Sequence, residues 1–541
     1  MEIFGNIVDV VKKVIFPGKV IIDHGRIKRI VPLEKAPHQF ILPGFIDAHV
    51  HIESSMLTPQ QFACMAIRQG TVGVVTDPHE IANVLGVEGI RYMMRDAEKT
   101  PLKIKIGIPS CVPATSFETS GGVIGAEDIE MLFKEQEDLH LAEMMNYPGV
   151  IFDDPGVMEK IKTARKYHRI IDGHAPGIRG KELEKYIAAG ISTDHECTDL
   201  AEAEEKIKRG MKILVREGSA VKNLEALMPL IDRHPGEIMF CTDDSHPDDL
   251  AVRHIREMVR RAIKKGCSLW NVLSAATVNP VRFYGLHVGL LQPGDPADFI
   301  VCRDLKEWEL LAVFLEGKKV FDGLNVLVNN TGSPVVNRFE AGPVREEDLW
   351  IKAVPGKNIR VIIAKEGSLM TGEKYEKPAV KEELAVSDPG RDILKIVVMN
   401  RYNRSVPPAV GFISGFGLQQ GALASSIAHD SHNLIAVGAE DREIVNALNA
   451  VIREKGGIAV SRKGEIKVLP LPVAGLMSAE EGIKVAKNYQ DINKIAHLTK
   501  TSLQEPFMTL SFMALLVIPE LKISDRGLFD VRKFGFTKLF V

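Results

Sequence analysis

Between residues 42 and 285 the chain alternates short apolar runs with amphipathic helical segments, and this alternation limits the fold more than any other feature. The apolar runs span residues 45–49, 71–76, 102–108, 140–145, 170–174, 191–195, 211–215 and 238–242. Helical periodicity fills the intervals, as in residues 59–69, 81–97, 181–189, 200–209 and 248–265. Eight strands alternating with helices over roughly 240 residues is the count of a (β/α)8 TIM barrel. An open doubly wound sheet has the same local pattern but gathers its ligands at one switch point. Here nearly every run ends in polar or ionisable residues, which favours a closed barrel with a shared mouth.

At 541 residues the chain is too long for one core. Residues 1–41 and 289–334 read as short strands that cannot enclose a core alone. They are expected to pair as one small β-sandwich domain built from the two flanks of the barrel, which itself occupies residues 42–288. Residues 335–541 read as a separate α/β domain. Within it, Gly415 to Gln420 resembles the start of a dinucleotide fingerprint, but glutamine stands at the third glycine position, so a structural turn is expected.

Hydrophobic content of 45%, charged content of 26% and a formal net charge of -3 fit a soluble globular protein and give no basic field for nucleic acid. The six cysteines form no C-x-x-C pair, which points to a reducing compartment. The N-terminal residues lack a signal-peptide core, and the apolar stretch 508–518 is short of the roughly 20 residues a spanning helix needs. A cytoplasmic protein with no membrane partner is expected.

The chemistry gathers at the strand ends. The first strand ends in His49-Val-His51, and two residues apart on a strand share one face. Glu143 lies on the fourth strand, His174 ends the fifth, His195 ends the sixth and Asp243 follows the eighth. Barrel active sites are built there. Four imidazoles and two carboxylates suit two first-row divalent ions, with Glu143 bridging. Water between two cations has its pKa lowered towards about 7, and Asp243 is placed to take its proton and pass it on. Glu118, in the polar loop after the third strand, reads either as a solvated loop acid or as a general acid for the substrate. Ser245 and His246 are candidates for substrate contact. Asp77 and Glu80 suit a helix N-terminus. The polar stretch 425–433, with His429, Asp430 and His432, is either a surface connection or a cap over the barrel mouth.

The phrases PGFIDAHVHIESSM, TDPHEIANVLG, PSCVPATSFETSGG, LAEMMNYPGV, DGHAPG, STDHE, CTDDSHPDDL and ATVNPVRFYGL resemble the bacterial and archaeal adenine deaminases of the amidohydrolase superfamily. So do SGFGLQQGALASSIAHDSHNLIAVG and VIPELKISDRGLFDV near the C-terminus. The resemblance implies hydrolytic deamination of adenine to hypoxanthine and ammonia, a purine salvage step. It implies two divalent ions, Mn(II) or Fe(II), with Zn(II) the alternative, and a homo-oligomer, a dimer or higher. Many superfamily members bridge their metals with a carboxylated lysine on the fourth strand; here Glu143 stands there instead. The zinc deaminases with H-x-E and P-C-x-x-C are excluded, because no P-C-x-x-C occurs. The competing readings are a cyclic amide hydrolase of the hydantoinase or dihydropyrimidinase kind and a non-catalytic scaffold barrel.

Overall fold

A computed structural model describes residues 1–219 and 221–541. They form two compact units. The first comprises Met1–Pro78, Tyr92–Ser110 and Gly125–Ser333; the second comprises His79–Arg91, Cys111–Ile124 and Pro334–Val541.

The first unit opens with β1 (Glu2–Asp9), β2 (Val14–Asp23), β3 (Arg26–Pro32) and β4 (Phe40–Pro43). Eight strands follow: β5 (Phe45–Val50), β6 (Thr71–Thr76), β7 (Lys103–Ile108), β8 (His140–Met144), β9 (Ile171–Gly173), β10 (Thr193–Asp194), β11 (Lys212–Arg216) and β12 (Ile238–Cys241). It closes with β13 (Phe299–Cys302), β14 (Leu310–Leu315) and β15 (Lys318–Phe321).

The two flanks of the barrel do pair. Among the described residues they form one sheet in the order β15-β14-β13-β4-β1-β2-β3. The junction is β13 antiparallel to β4, with Ile300 opposite Leu42. The sheet curls until its distant strands share a core, so that Ile27 of β3 and Phe314 of β14 lie in one cluster with Ile7, Val20 and Phe299. The rings of Phe299 and Phe314 stack at 4.7 Å. Pro17 and Gly18, a pair that commonly marks a turn, both lie inside β2. Leu33 N donates to Pro17 O at 2.8 Å, so Pro17 faces the end of β3, where its missing N–H costs only one terminal bond.

The barrel strands run parallel from β5 to β9 and from β10 to β12. Backbone bonds close the two seams. Ser192 N donates to Ile171 O at 3.0 Å, Asp243 N donates to His49 O at 2.9 Å, and His51 N donates to Asp243 O at 3.2 Å. Every residue of β5 and β6 is buried, as expected of strands covered on both faces. The helix expected over 81–97 is two helices, His79–Leu85 and Val87–Ala97. Gly86 between them sits at φ 63°, a left-handed conformation that glycine adopts without steric cost. The segment 248–265 is likewise divided, into Pro247–Val252 and Ile255–Lys264.

In the second unit, eight strands of the described residues form one sheet. Its order is Gly372–Glu376, Ile359–Ile363, Ala409–Ser414, Leu394–Met399, Leu434–Gly438, Ala422–Ser425, Gly457–Arg462 and Glu465–Pro470. Ile359–Ile363 and Ala409–Ser414 run parallel, and the other neighbours in the sheet are antiparallel. Helix Asp441–Glu454 covers one face. Its Ile444, Ala447, Leu448 and Val451 follow the helical period and pack on Val397, Leu434, Ala436 and Ala459. The glycine-rich turn is structural. Gly415 and Gly417 sit at φ 99° and 69°, and their amides donate to the two carboxylate oxygens of Asp392 at 2.6 and 2.8 Å. The donors a phosphate would need are thus taken by the chain's own acid.

No helix of the described residues is long and apolar enough to cross a membrane.

Candidate metal centre

Five of the barrel strands, β5, β8, β9, β10 and β12, deliver residues at or just after their ends to the same place. His49 and His51, two residues apart at the end of β5, bring their Nε2 atoms to 3.2 Å of each other. Glu143 of β8 divides its two oxygens: Oε1 lies 3.4 Å from His51 Nε2, while Oε2 lies 2.9 Å from His174 Nδ1 and 3.2 Å from His195 Nε2. Asp243 Oδ1 lies 3.0 Å from His51 Nε2 and 3.5 Å from His49 Nε2. The rings of His49 and His195 stack at 4.3 Å. All six side chains expected to gather at the mouth therefore do so, and His49, His51, Glu143, His195 and Asp243 are each 4% exposed or less.

Buried polar ties hold the strand ends in register. Asp47 accepts from Thr242 N at 3.0 Å and pairs with His254 Nε2 at 3.0 Å, while His254 Nδ1 meets Thr71 Oγ1 at 2.7 Å. That network locks β5 to β6 and β12. Lys206, fully buried, donates to Asp194 Oδ2 at 2.9 Å, Glu202 Oε1 at 2.6 Å and Ala175 O at 2.7 Å. It thereby fixes the residues beside His174 and His195. A buried charge of this kind persists only when it is paired and hydrogen-bonded.

A model of the amidohydrolase family matches residues 40–320, and a model of the adenine deaminase C-terminal domain matches residues 368–535. The chain is 51% identical over 548 residues to a Methanosarcina mazei protein named adenine deaminase, with 99% of each chain covered. Proteins of the same name from Sulfurovum sp. and Salinibacter ruber are 51% identical over 537 residues and 50% identical over 541 residues. Those matches cover 99% and 100% of this chain, and 99% of each relative. The chain belongs to the amidohydrolase family, among the adenine deaminases. As an amidohydrolase it is a hydrolase acting on carbon–nitrogen bonds, and its core is the family's TIM barrel.

Amidohydrolases generally use divalent metal ions, and the donors present fit such ions. His49, His195 and Asp243 form one group with ligand atoms within 4.8 Å of one another; His49, His51 and Glu143 form a second, and Glu143, His174 and His195 a third. His51 Nδ1 faces the Asp77 carbonyl at 3.0 Å. A carbonyl only accepts, so the proton sits on Nδ1, and in the neutral ring Nε2 keeps its lone pair for a cation. Burial disfavours the charge on Glu143, yet hydrogen bonds from His174, His195 and His51 hold its carboxyl well below the usual range. Burial lowers His174, but the Glu196 and Glu143 charges raise it to about 9. A cation entering this site would displace protons from imidazoles that a carboxylate already holds.

Two residues that the sequence reading passed over lie in this site. Arg216, the last residue of β11, donates to Asp243 Oδ2 and forms a two-bond fork with Glu196 at 2.6 and 2.9 Å. Both were accessible by the rule that found the other six, since one ends a strand and the other directly follows His195.

Ser245 and His246 are buried in the turn after Asp243, where His246 N donates to Ser219 Oγ at 2.9 Å. Glu118 belongs to the second unit. It is 5% exposed and accepts from Thr115 Oγ1 at 3.1 Å. Burial and the nearby Asp430 charge push its carboxyl up to about 8. The 425–433 stretch is buried within the same unit. His429 Nδ1 lies 2.9 Å from Glu80 Oε1, and His432 Nε2 contacts Glu80 Oε2. Burial pushes His432 down to about 4, so its ring is neutral at physiological pH. Ala428 N donates to its Nδ1 at 3.3 Å, which leaves the ring proton on Nε2, pointing at Glu80. Glu80 sits in the first turn of helix His79–Leu85, as expected of an acid at a helix N-terminus.

Proposed function

We propose that this chain is an adenine deaminase, converting adenine and water to hypoxanthine and ammonia in cytoplasmic purine salvage. The observation that carries the reading is Glu143, whose two oxygens face different histidines at the centre of a six-donor cluster. Support comes also from the full-length similarity to proteins named adenine deaminase.

In this reading His49, His51, Glu143, His174, His195 and Asp243 hold two divalent ions. The donors are all nitrogen and oxygen, with no thiolate, which favours Mn(II) or Fe(II) and leaves Zn(II) as the alternative. When bound, the ions supply Lewis-acid activation of the attacking water. Asp243 accepts the proton that water gives up and returns it to the purine. Glu118, buried and protonated near neutral pH, is the proposed donor to the ring N1. Ser245 and His246, in the turn after Asp243, are proposed to bind the purine edge. Burial of the cluster excludes bulk water from the reacting atoms. A homo-oligomer is part of the same proposal, and light scattering on the full chain tests it.

The deciding assay is ammonia release from adenine, with adenosine and hydantoin as competing substrates, before and after Mn(II) is added to chelator-treated protein. Adenine alone should respond, and only with metal present. Turnover of hydantoin but not adenine would overturn the proposal.

A further inference from the structure

Asp243 is constrained from three directions. Its backbone sits at φ 55°, a left-handed conformation that aspartate tolerates better than most residues but still at a cost. Hydrogen bonds to β5 hold it there on both sides, through Asp243 N to His49 O and His51 N to Asp243 O. Its carboxylate is then divided. Oδ1 faces His49 and His51 at 3.5 and 3.0 Å, while Oδ2 is taken by Arg216.

Arg216 is itself fixed. Its guanidinium makes a fork with both oxygens of Glu196 at 2.6 and 2.9 Å. Its backbone N donates to Asn223 Oδ1 at 2.7 Å, and Asn223 Nδ2 reaches Cys197 O at 3.0 Å. Arg216 and Glu196 are 3% and 7% exposed. A carboxylate has oxygens enough to bind one cation through both, to bridge two cations, or to donate one oxygen only. A charge-assisted bond from a rigid planar fork occupies one of those oxygens. Lysine, a point charge, could not hold Glu196 and Asp243 in the same geometry.

We propose that Arg216 and Glu196 act as one positioning unit that makes Asp243 a one-oxygen metal ligand, with Oδ1 as the donor. The inference rests on the metal-pair reading above. Glu196 Oε1 also lies 3.6 Å from His174 Nδ1 and 3.5 Å from His195 Nε2; its role in this unit is exerted through Arg216 on Asp243.

The test uses the full-length protein, stripped with chelator and titrated with Mn(II). Metal equivalents, affinity and the Mn(II) paramagnetic resonance spectrum are read for wild type, Arg216→Lys, Arg216→Met, Glu196→Gln and Arg216→Met/Glu196→Gln. Wild type should take two equivalents. Arg216→Met should weaken one of the two ions by about 10–100-fold, the usual loss when a ligand's outer partner is removed, and should change the spectrum. Arg216→Lys should recover only part of the loss. The double variant should be no weaker than Arg216→Met, because residues that act as a unit are not additive. The double variant also leaves no unpaired Glu196 charge, so it carries the test if Arg216→Met fails to fold. Folded single variants with wild-type affinity and spectrum would overturn the proposal, as would losses that simply add. A wild type that binds no metal pair would overturn the underlying reading and this one together.

Discussion

Glu118→Gln perturbs a buried acid of the second unit that is displaced far upward. The carboxyl moves from its ordinary 4.5 to about 8 on burial, with Asp430 adding a like charge. That displacement corresponds to about 5 kcal/mol of cost for ionising the buried group. The native state holds this proton between pH 4.5 and about 8, while the unfolded chain has lost it. Stability therefore falls as pH rises across that window, and the deficit is complete above the native value. Glutamine has no proton to lose. At pH 9 the variant should exceed wild type by up to about 5 kcal/mol, an upper bound because the site can relax. For a unit of roughly 150–250 residues this is of the order of 10 °C in thermal midpoint. Near pH 5, where wild-type Glu118 is neutral, the two should nearly coincide. The assay is the midpoint difference at one scan rate from pH 5 to pH 9, read beside kcat for adenine. If Glu118 protonates N1, kcat should fall roughly 10²-fold or more with metal content unchanged. Parallel stability profiles would refute the buried-acid argument, and an unchanged kcat would refute the catalytic role.

Glu143→Gln should sharply reduce metal content, because a neutral amide facing three histidines cannot balance two cations; full loading with near wild-type turnover would remove Glu143 from the bridging position. Lys206→Met should destabilise the barrel by about 3–5 kcal/mol, leaving Asp194 and Glu202 buried without their cation; a denaturant midpoint equal to wild type would contradict this. A chain ending near residue 335 keeps all six donors. It strips residues 79–91 and 111–124 of the unit they pack in, exposing Ile81, Val84, Val112 and Ile124, which are buried in the full chain. Aggregation or lost ammonia release is expected, whereas a soluble barrel with full-length activity would show that the C-terminal residues are dispensable.

The sequence by itself determined the elements whose signal is local. The eight barrel strands were legible because each is a short apolar run and nearly all end in polar or ionisable residues, and the observed bounds of β6 coincide with the expected 71–76. The six clustered donors were legible for the same reason: chemistry in a closed barrel collects where strands stop. The flanking sheet was legible as strands that needed partners. Tertiary structure decided what depends on partners distant in the chain. Whether Pro17-Gly18 turns or extends depends on its partners, Asn6 of β1 opposite Pro17 and Leu33 N donating to Pro17 O. Much of the second unit's sheet, such as Ala422–Ser425 and Gly457–Arg462, carries little periodicity because both faces are covered. Glu118 reads as a solvated loop acid until Asp430 and Thr115 surround it. Arg216 reads as the charged end of a strand until the fold places Glu196 on one side and Asp243 on the other. Local propensity specifies which residues extend and which coil; only packing specifies which charges face each other, because an ion pair depends on distance through space and not on separation along the chain.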